Sequence, residues 1–583
     1  MKPKLKKEIK ALKLHRSNLR SDLIAGLTFA IVNVPQSMAH ALLASVNPVF
    51  GIYTLMVALP VGAVFASSVY MNISTTGALA VAAGDGLAGI PVEQRVQALI
   101  TLVFFAGLIQ LLAGIFKIGF VIHFVSNSVM TGFLNGVAVL IILGQLGDLT
   151  GFQSSFSNSV ARTLDLLLRL GRVDYHTTFL GLLTLAIIVL LLKSAWDKYA
   201  FIIAIAITTI MLAILSLPGL FTGEGWQAVS TVGDIASIPR SLPSMGLPDP
   251  GLIGRLIIPA FSVAVIGLIQ GAGVSESFPN PDGKFPDVSR DFLGQGAANV
   301  ATSFVGGIPA GGSISGTNLI MGAGSRSRWA NIFAGILVVA VVLLIAPLVE
   351  FVPMPALAAL LIIAGFQGLR FEAAKTVWQT NKVSSTVMVM TFIFTLFVPL
   401  HYAVLIGMAL SIVLYVIGQS NKVIVKEWVL VPGGLPEERS APMMLPSNQL
   451  TLLHIYGSLF FAAAKNLETL LPEVGKAERA VVMIGLRGKT ELSSTFINVL
   501  GRYAQLLKAQ NSKLMLVGVD PVVYEQLEKT GLLNTIGEEN IFFATGQLGE
   551  AMNLAIAAAN EWLQLKPGAP AISNPSPEQG DPE

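Results

Sequence analysis

A long stretch near the N-terminus carries no charged side chain: the sequence between Leu23 and Val69 contains no Asp, Glu, Lys or Arg. A helix needs about 20 mostly apolar residues to span a bilayer, so this stretch can cross one. The chain of 583 residues is 53% hydrophobic and only 12% charged, whereas soluble proteins average about 25% charged residues. These features predict a membrane protein and argue against a purely soluble, disordered or nucleic-acid-binding chain.

Apolar runs with at most one charge recur along the chain, and there are fourteen of them. They lie at 23–45, 50–69, 75–90, 97–116, 122–147, 177–192, 199–217, 256–275, 293–308, 310–322, 330–349, 353–369, 385–399 and 402–420. The third and tenth runs are short and open with clusters of Gly, Ser and Thr, at Ser74–Ala78 and Gly306–Ser313. Seven runs per half put these short segments in corresponding positions, which is typical of transporters built from inverted repeats with broken helices at the core.

Each short segment is predicted to be a half-helix preceded by extended backbone, which membranes tolerate only where it is buried or lines a cavity. Two half-helices that meet N-terminus to N-terminus would direct unpaired N–H groups and positive dipole ends at one point, which suits an oxyanion. Thr75, Thr76 and Ser313 would add hydroxyl donors. Three glycines, which have no side chain to obstruct the ligand, would let the backbone approach it: Gly77, Gly311 and Gly312. The alternative is that the hydroxyls only cap helix ends and the glycines only permit close helix packing.

The charge distribution predicts the orientation and the domain boundaries. Residues 1–22 form a basic arm, which the positive-inside rule places in the cytoplasm, and no signal-peptide cleavage site follows it. Residues 23–421 form the transmembrane transport domain, and an even number of spans returns the chain to the cytoplasm. Charges return in 422–566, where a cytoplasmic α/β domain is predicted, and 567–583 contains five prolines and is predicted to be a disordered tail. We therefore expect a multi-pass inner-membrane protein with both termini in the cytoplasm.

The α/β domain is predicted from alternating strand and helix patterns. The predicted strands are Leu450–Ile455, Ala480–Leu486, Lys513–Val519 and Asn540–Ala544, and the predicted helices are Ser493–Gln510, Val522–Thr530 and Leu548–Leu563.

Two motifs in the first apolar runs closely resemble the signature of the SulP (sulfate permease) anion transporters. They read VPQSMAHALLA over residues 34–44 and NPVFGIY over residues 47–53. Supporting matches are GQG at 294–296 with Asn299 and GGIPA at 306–310. The α/β domain resembles the STAS domain that these transporters carry. The resemblance implies fourteen segments in two inverted repeats, divided into core and gate domains, a dimer, and transport of small inorganic or organic anions.

Two polar residues of the first motif are predicted to bind substrate. The resemblance places Gln36 at the substrate site, and His40 shares its helical face because it follows four residues later. The family usually has an aromatic residue at the position of His40. A buried histidine here is either a hydrogen-bonded packing residue or a proton carrier.

The chain departs from the family pattern at two positions that are often charged. Gln270 stands where an acidic residue associated with sodium or proton coupling is common, and Gly316 stands where many members have Arg. Removal of one charge would leave its partner buried and uncompensated, at a cost of about 3–5 kcal/mol, whereas removal of both is far cheaper. Gln270 and Ser315 are included in the predicted substrate site. Glu276, at the end of the eighth apolar run, is expected to be a solvated carboxylate at the membrane interface.

The sequence predicts a secondary transporter that moves a small inorganic anion of the sulfate or bicarbonate class by alternating access. Two alternatives stay open: a nucleobase or organic-anion permease of the same architecture, and an anion-sensing membrane signalling protein. Nucleobase transporters hold the base with acidic residues, and the only acid inside any run is Asp85. No catalytic, cofactor or metal site is predicted, and the chain has no cysteine.

The expected partners are the anion, the lipid bilayer, a second copy of the chain and a soluble partner of the STAS-like domain, with no nucleic acid. Within that domain, Ser493 lies where STAS phosphoswitch proteins carry a serine after an aspartate. Leu492 replaces that aspartate, so Ser493 is predicted to be a helix N-cap rather than a phosphorylation site.

Overall fold

The computed structural model describes residues 15–119, 126–156, 158–217, 226–235, 243–420, 423–431, 436–457, 459 and 461–564. Most of the predicted basic arm and the predicted tail from 567 onward lie outside the described residues. The chain divides into two compact units, with the boundary between Ser411 and Ile412.

The first unit is almost entirely helical, and a helix lies in each of the fourteen apolar runs. These helices are α1 (Arg16–Leu43), α2 (Val49–Phe65), α3 (Gly77–Gly86), α4 (Arg95–Ile115), α5 (Asn127–Thr150), α6 (Tyr175–Leu192), α7 (Ala200–Leu215), α8 (Ile253–Ser277), α9 (Val288–Ser303), α10 (Ile314–Gly322), α11 (Trp329–Glu350), α12 (Met354–Gly368), α13 (Lys382–Phe397) and α14 (Leu400–Ser420). By length and composition, five helical stretches among the described residues are apolar enough to cross a membrane, and other apolar helices are shorter. The number of crossings therefore stays a prediction.

The packing of these helices repeats with an offset of seven. Helix α11 packs against α1 and α2, and the equivalent helix α4 packs against α8 and α9. In the same way, α5 packs against α13 while α12 packs against α6. The fourth helix of each half thus packs against the first two helices of the other half. Two intertwined inverted repeats produce this pattern. We call α1–α4 with α8–α11 the core bundle, and α5–α7 with α12–α14 the gate bundle.

Two short strands precede the half-helices of the core bundle. Strand β1 (Asn72–Thr75) leads into α3, and strand β2 (Ala310–Ser313) leads into α10. The strands pair in antiparallel register, with Ile73 opposite Gly312, and all of their residues are buried. Each strand satisfies the backbone groups of the other that face it, and side chains bind further groups: Asn299 binds both the N–H and the carbonyl of Ala310, and Gln295 accepts from the Gly312 N–H. These bonds explain how extended backbone persists inside a bundle of apolar helices. The prediction of half-helices preceded by extended segments is confirmed.

Two further amphipathic helices, Ser159–Leu168 and Phe371–Thr380, connect helices of the gate bundle. Many helices of the unit also expose large apolar side chains, such as Ile210 of α7 and Phe397 of α13. Exposed apolar surface of this extent is expected where lipid covers the protein.

The second unit contains a six-stranded sheet in the order β4-β3-β5-β6-β7-β8. Its strands are β3 (Ile424–Val429), β4 (Glu437–Ser440), β5 (Leu450–Tyr456), β6 (Val481–Gly485), β7 (Lys513–Val519) and β8 (Ile541–Phe543). Strands β5 to β8 are parallel, whereas β3 and β4 pair antiparallel at one edge. The helices are α15 (Phe461–Leu470), α16 (Ser494–Ala509), α17 (Pro521–Lys529), α18 (Leu533–Ile536) and α19 (Glu550–Gln564).

All seven predicted elements of this unit are present within two residues of their predicted ends, while β3, β4, α15 and α18 were not predicted. The missed strands lie at the edge of the sheet, where one face is not buried and the apolar alternation is weak.

Candidate functional site

The two half-helices begin at opposite ends of the ladder that β1 and β2 form, because the strands are antiparallel: α3 follows the end where Thr75 pairs with Ala310, and α10 follows the end where Ser313 pairs with Asn72. The hydroxyl of Thr76 caps α3 by accepting from the Leu79 N–H at 3.4 Å, and the hydroxyl of Ser313 caps α10 by accepting from the Gly316 N–H at 3.0 Å. Both caps were foreseen as an alternative role for these hydroxyls. The first N–H groups of α3 and α10 therefore lie at the two ends of one four-residue ladder, with a positive dipole end at each.

Thr75 and Thr76 each hold a polar side chain from a different helix. The Thr75 hydroxyl lies 2.9 Å from Nδ1 of His40 on α1, and the Thr76 hydroxyl lies 3.1 Å from Oε1 of Gln270 on α8. Helices α1 and α8 are equivalent in the two repeats. The half-helix α3 is therefore tied by hydrogen bonds to both repeats at the point where it begins.

These contacts determine which atoms of Gln270 are available. The Thr76 oxygen already accepts from Leu79, so its proton is available to donate to Oε1 of Gln270. Among the described residues, no protein acceptor lies within hydrogen-bond reach of the Gln270 amide N–H groups. Gln270 is partly exposed, and it offers two uncommitted donors beside the start of α3.

His40 is 4% exposed and is hydrogen-bonded, as expected of a packing residue. Its second ring nitrogen, Nε2, points toward α3: a Cβ atom added at Gly77 would lie 3.8 Å from it. When Thr75 donates to Nδ1, the neutral ring carries its proton on Nε2, directed at the start of α3.

The glycines around the strands allow close packing. An added Cβ at Gly312 would lie 2.7 Å from the Cα of Gly271, so β2 lies directly against the backbone of α8. An added Cβ at Gly311 would lie 3.2 Å from Oε1 of Gln270, so Gly311 borders the polar group itself. Gly77 has the side chain of Ile141 2.8 Å from its added Cβ.

The other predicted residues lie near this region with different exposures. Gln36 is partly buried on α1, one helical turn before His40. Ser315 is exposed in the first turn of α10, and its hydroxyl lies 3.2 Å from that of Ser313. A Cβ added at Gly316 would lie 2.6 Å from Oδ1 of Asn72, so no larger side chain fits there without movement.

The acidic residues are placed away from the starts of the half-helices. Asp85 lies near the end of α3 and accepts from the Leu400 N–H at 2.9 Å, so it caps α14. Glu276 is exposed near the end of α8, as expected for an interfacial carboxylate. Groups of three or more His, Cys, Asp or Glu that could hold a metal ion do not occur in the part of the chain that the structure describes.

Sequence reasoning missed a buried carboxylate, Asp291, in the first turn of α9. Its Oδ1 accepts from the N–H groups of Ser67 and Ser68 at 2.6 and 2.9 Å, and from the Ser67 hydroxyl at 2.9 Å. Its Oδ2 accepts from the Ser275 hydroxyl of α8 at 2.7 Å. Asp291 therefore joins α8 to the segment that leads into β1. Only its position beside a helix start, where acids are favoured, could have marked it in the sequence.

Arg328 holds the same segment from the other side. Its guanidinium donates to the carbonyl oxygens of Ala63 at 3.0 Å, Ala66 at 2.5 Å and Ser67 at 2.9 Å, at the C-terminal end of α2. A cation at this position also suits the negative end of the α2 dipole. Together, Arg328 and Asp291 fix the backbone between α2 and β1, and through it the start of α3.

In the second unit, Ser493 caps α16 as predicted. Its hydroxyl accepts from the Phe496 N–H at 3.3 Å and donates to the Leu459 carbonyl at 2.9 Å. Leu492 is 3% exposed and belongs to the apolar core of the unit.

A helical membrane unit with two half-helices that follow a pair of strands, together with a small α/β unit, defines the class of multi-pass membrane transporters with a C-terminal STAS domain. The chain belongs to the sulfate permease family, whose sequence profile matches residues 19–391. The profile of the STAS domain matches residues 441–547.

Sequences from other organisms and solved structures resemble the chain over most of its length. A putative sulfate transporter of Bacillus subtilis, YvdB, is 28% identical over 529 residues, which cover 90% of this chain and 96% of that protein. Probable sulfate transporter 4.2 of Arabidopsis thaliana is 26% identical over 552 residues, which cover 89% and 79%.

Among solved structures, the murine anion transporter Slc26a9 in its inward-facing state has a TM-score of 0.80 at 18% identity, covering 94% of each chain. The transmembrane domain of the cyanobacterial bicarbonate transporter BicA has a TM-score of 0.56 at 21% identity, covering 69% of this chain and 99% of that one. These likenesses show the fold of the chain.

Proposed function

We propose that this protein is a secondary transporter of a small inorganic anion, of the sulfate or bicarbonate class, and that the anion binds between the starts of α3 and α10. The observation that carries the proposal is the antiparallel pairing of β1 and β2, which sets the N-termini of α3 and α10 at the two ends of one four-residue ladder, with the uncommitted amide donors of Gln270 beside the start of α3. The proposed site comprises Gln36, His40, Thr75, Thr76, Gly77, Gln270, Gly311, Gly312, Ser313 and Ser315.

The chemistry of this region favours an anion over other ligands. Two helix N-termini contribute roughly half a positive charge each, and the Gln270 amide adds two N–H donors. We also propose that the Thr75 hydroxyl donates to Nδ1 of His40, so that the proton of the neutral ring is on Nε2 and can be donated to the anion. Asp85 is committed to the start of α14, which disfavours a nucleobase permease that would need an acid to hold its substrate.

Alternating access follows from the two bundles. The site lies on core-bundle elements, while α1 and α3 also contact the gate bundle through α12 and α5. Movement of the core bundle against the gate bundle would carry the anion from one side of the membrane to the other without dismantling the strand pair.

The site has no carboxylate that could hold a coupling cation. Gln270 supplies a neutral oxygen that already accepts from Thr76, and hard cations such as sodium prefer sites with carboxylate oxygen. We therefore propose sodium-independent transport, with any dependence on pH arising from His40 or from the substrate.

Further proposals concern the cellular setting. The chain lies in the inner membrane with both termini in the cytoplasm, acts as a homodimer, and uses its STAS domain for regulation or for a soluble partner rather than for permeation. The basic N-terminal arm and the family's domain organisation support this orientation.

The test is uptake of labelled sulfate and bicarbonate into proteoliposomes containing the purified protein. The variants Thr76→Phe and Ser313→Phe should abolish uptake while the protein stays folded, because each ring would occupy the space between the two helix starts. Ser277→Phe, at an exposed position in the last turn of α8, is the matched control and should transport normally. Undiminished uptake by both site variants would contradict this placement of the anion.

A further inference from the structure

A cavity of about 320 Å³ lies at one end of the gate bundle, between the last turns of α5 and the short helix Ser159–Leu168. Helix α5 lines it with Asp148 and two glycines, Gly144 and Gly147, and the short helix lines it with Arg162. None of the lining residues belongs to the proposed anion site. The cavity therefore needs an explanation of its own.

Arg162 and Asp148 line this cavity with uncommitted groups. The Nε atom of Arg162 is buried and lacks a hydrogen-bond partner among the described residues, although Nη2 donates to the Ser159 hydroxyl at 3.1 Å. Asp148 is exposed and makes no hydrogen bond within the described parts of the chain, although its charge interacts with that of Arg162. Burial of the Arg162 Nε–H without an acceptor is costly, and a ligand in the cavity that accepts from it would remove that cost.

The neighbouring charged pair behaves differently. Asp165 binds Arg169 at 3.0 Å and accepts from the Ser154 hydroxyl at 2.7 Å, so these charges neutralise each other. The cavity is lined by one cation, Arg162, and one anion, Asp148, whose charges attract each other without a direct hydrogen bond between the side chains. A ligand that carries both an anionic and a cationic group would complement it.

The outer side of the short helix shows where such a ligand comes from. Leu164, Leu167 and Leu168 are 57%, 58% and 85% exposed. At about 100° per residue, Leu164 lies about 160° around the helix from Arg162, Leu167 about 140° and Leu168 about 120°, so the leucines face away from Arg162. A short helix with an exposed leucine face and a polar face is typical of helices that lie in the membrane interface. The cavity then lies at the boundary between hydrocarbon and headgroups.

We propose that this cavity binds the headgroup of a phospholipid with a primary ammonium group, of the phosphatidylethanolamine type. The phosphate oxygens accept from the Arg162 guanidinium, including its unpartnered Nε, and the ammonium donates to the Asp148 carboxylate. A choline headgroup has no N–H to donate. A phosphatidylglycerol headgroup has no cation for Asp148.

The experiment measures which lipid the full-length protein retains. The purified protein is equilibrated in detergent with equal amounts of phosphatidylethanolamine, phosphatidylcholine and phosphatidylglycerol with matched acyl chains, and bound lipid is counted by native mass spectrometry. The wild type should retain phosphatidylethanolamine over phosphatidylcholine by about 10- to 150-fold, since a charged hydrogen bond contributes about 1.5–3 kcal/mol. Arg162→Gln and Asp148→Asn should lose the preference.

Two further variants separate the cavity from general charge and folding effects. Arg172→Gln removes an exposed cation from the same loop and should keep the preference. Gly144→Val fills the cavity but keeps both charges, and its Cβ has room because it would lie 3.5 Å from the Ser159 hydroxyl. This variant should lose the preference, and it decides the question if a charge variant does not fold.

Three results would overturn the proposal. The first is a wild type without a preference for phosphatidylethanolamine, and the second is a Gly144→Val variant that folds and keeps the preference. The third is displacement of the lipid by soluble phosphoethanolamine at the same headgroup concentration, which would make the cavity a site for a soluble zwitterion.

Discussion

The contact between β2 and α8 makes Gly312 the most sensitive glycine of the proposed anion site. In Gly312→Ala the new methyl carbon would lie 2.7 Å from the Cα and 3.2 Å from the N of Gly271. Two carbon atoms prefer a separation of about 3.5–4.0 Å, so the backbones must move apart by roughly 1 Å. Both contacts are with backbone atoms, so no side-chain rotation can relieve them.

The expected effect follows from this overlap. Overpacking of this kind costs about 1–3 kcal/mol. If the strain is relieved by displacement of β2 from α8, the geometry that binds the anion becomes disfavoured by roughly 5- to 150-fold. Uptake should fall by a factor in that range, and the thermal stability of the purified protein should also decrease.

Two matched substitutions calibrate the measurement. Gly322→Ala adds the same methyl group at the end of α10, where nothing lies within 4 Å, so uptake should be unchanged. Gly311→Ala would contact the end of the Leu79 side chain at 2.7 Å, which can rotate away, so its defect should be smaller than that of Gly312→Ala. Initial rates of labelled sulfate uptake in proteoliposomes provide the comparison. A Gly312→Ala protein with wild-type uptake and stability would refute the argument.

Three other predictions concern coupling, the buried carboxylate and the C-terminal unit. Sodium should not stimulate uptake by reconstituted protein, since Gln270 cannot supply a carboxylate; a strict sodium requirement would contradict this. Asp291→Asn should lower the free energy of unfolding by ~3 kcal/mol, because a donating NH₂ group replaces an oxygen that accepts from serine. The control is Asp282→Asn, at an exposed position. Equal melting temperatures of the two variants would argue against the role of Asp291. Truncation after Ser420, which precedes β3, should leave a folded membrane unit that binds substrate, and binding calorimetry can check this. A folded unit without affinity for the substrate would mean that the STAS domain contributes to the binding site.

Much of the helical framework could be predicted because its signals are local. An apolar run without charges specifies a helix in a membrane protein whatever its neighbours are, and all fourteen runs contain one. The clusters at Ser74–Ala78 and Gly306–Ser313 interrupt that pattern, so the half-helices and their extended leaders could also be predicted. The same local periodicity revealed β5 to β8 and three of the helices in the second unit.

The contacts that position the proposed site could not be read in this way, because they join residues far apart in the chain. Thr76 meets Gln270 across 194 positions, and Asp291 meets Ser67 across 224. A hydroxyl or a carboxylate has the same local sequence signal whether it caps its own helix or binds another one.

The sequence by itself determined the class of fold, the two half-helices and most residues near their starts, since these depend on composition and local pattern. Only the tertiary structure decided that Asp291 and Arg328 clamp the segment before β1, that Asp85 caps α14, and that Gly316 faces Asn72. The physical reason is that burial of a charge or a close backbone approach is favourable only when its partner is present. The identity of that partner is a property of the packed chain, not of the residue.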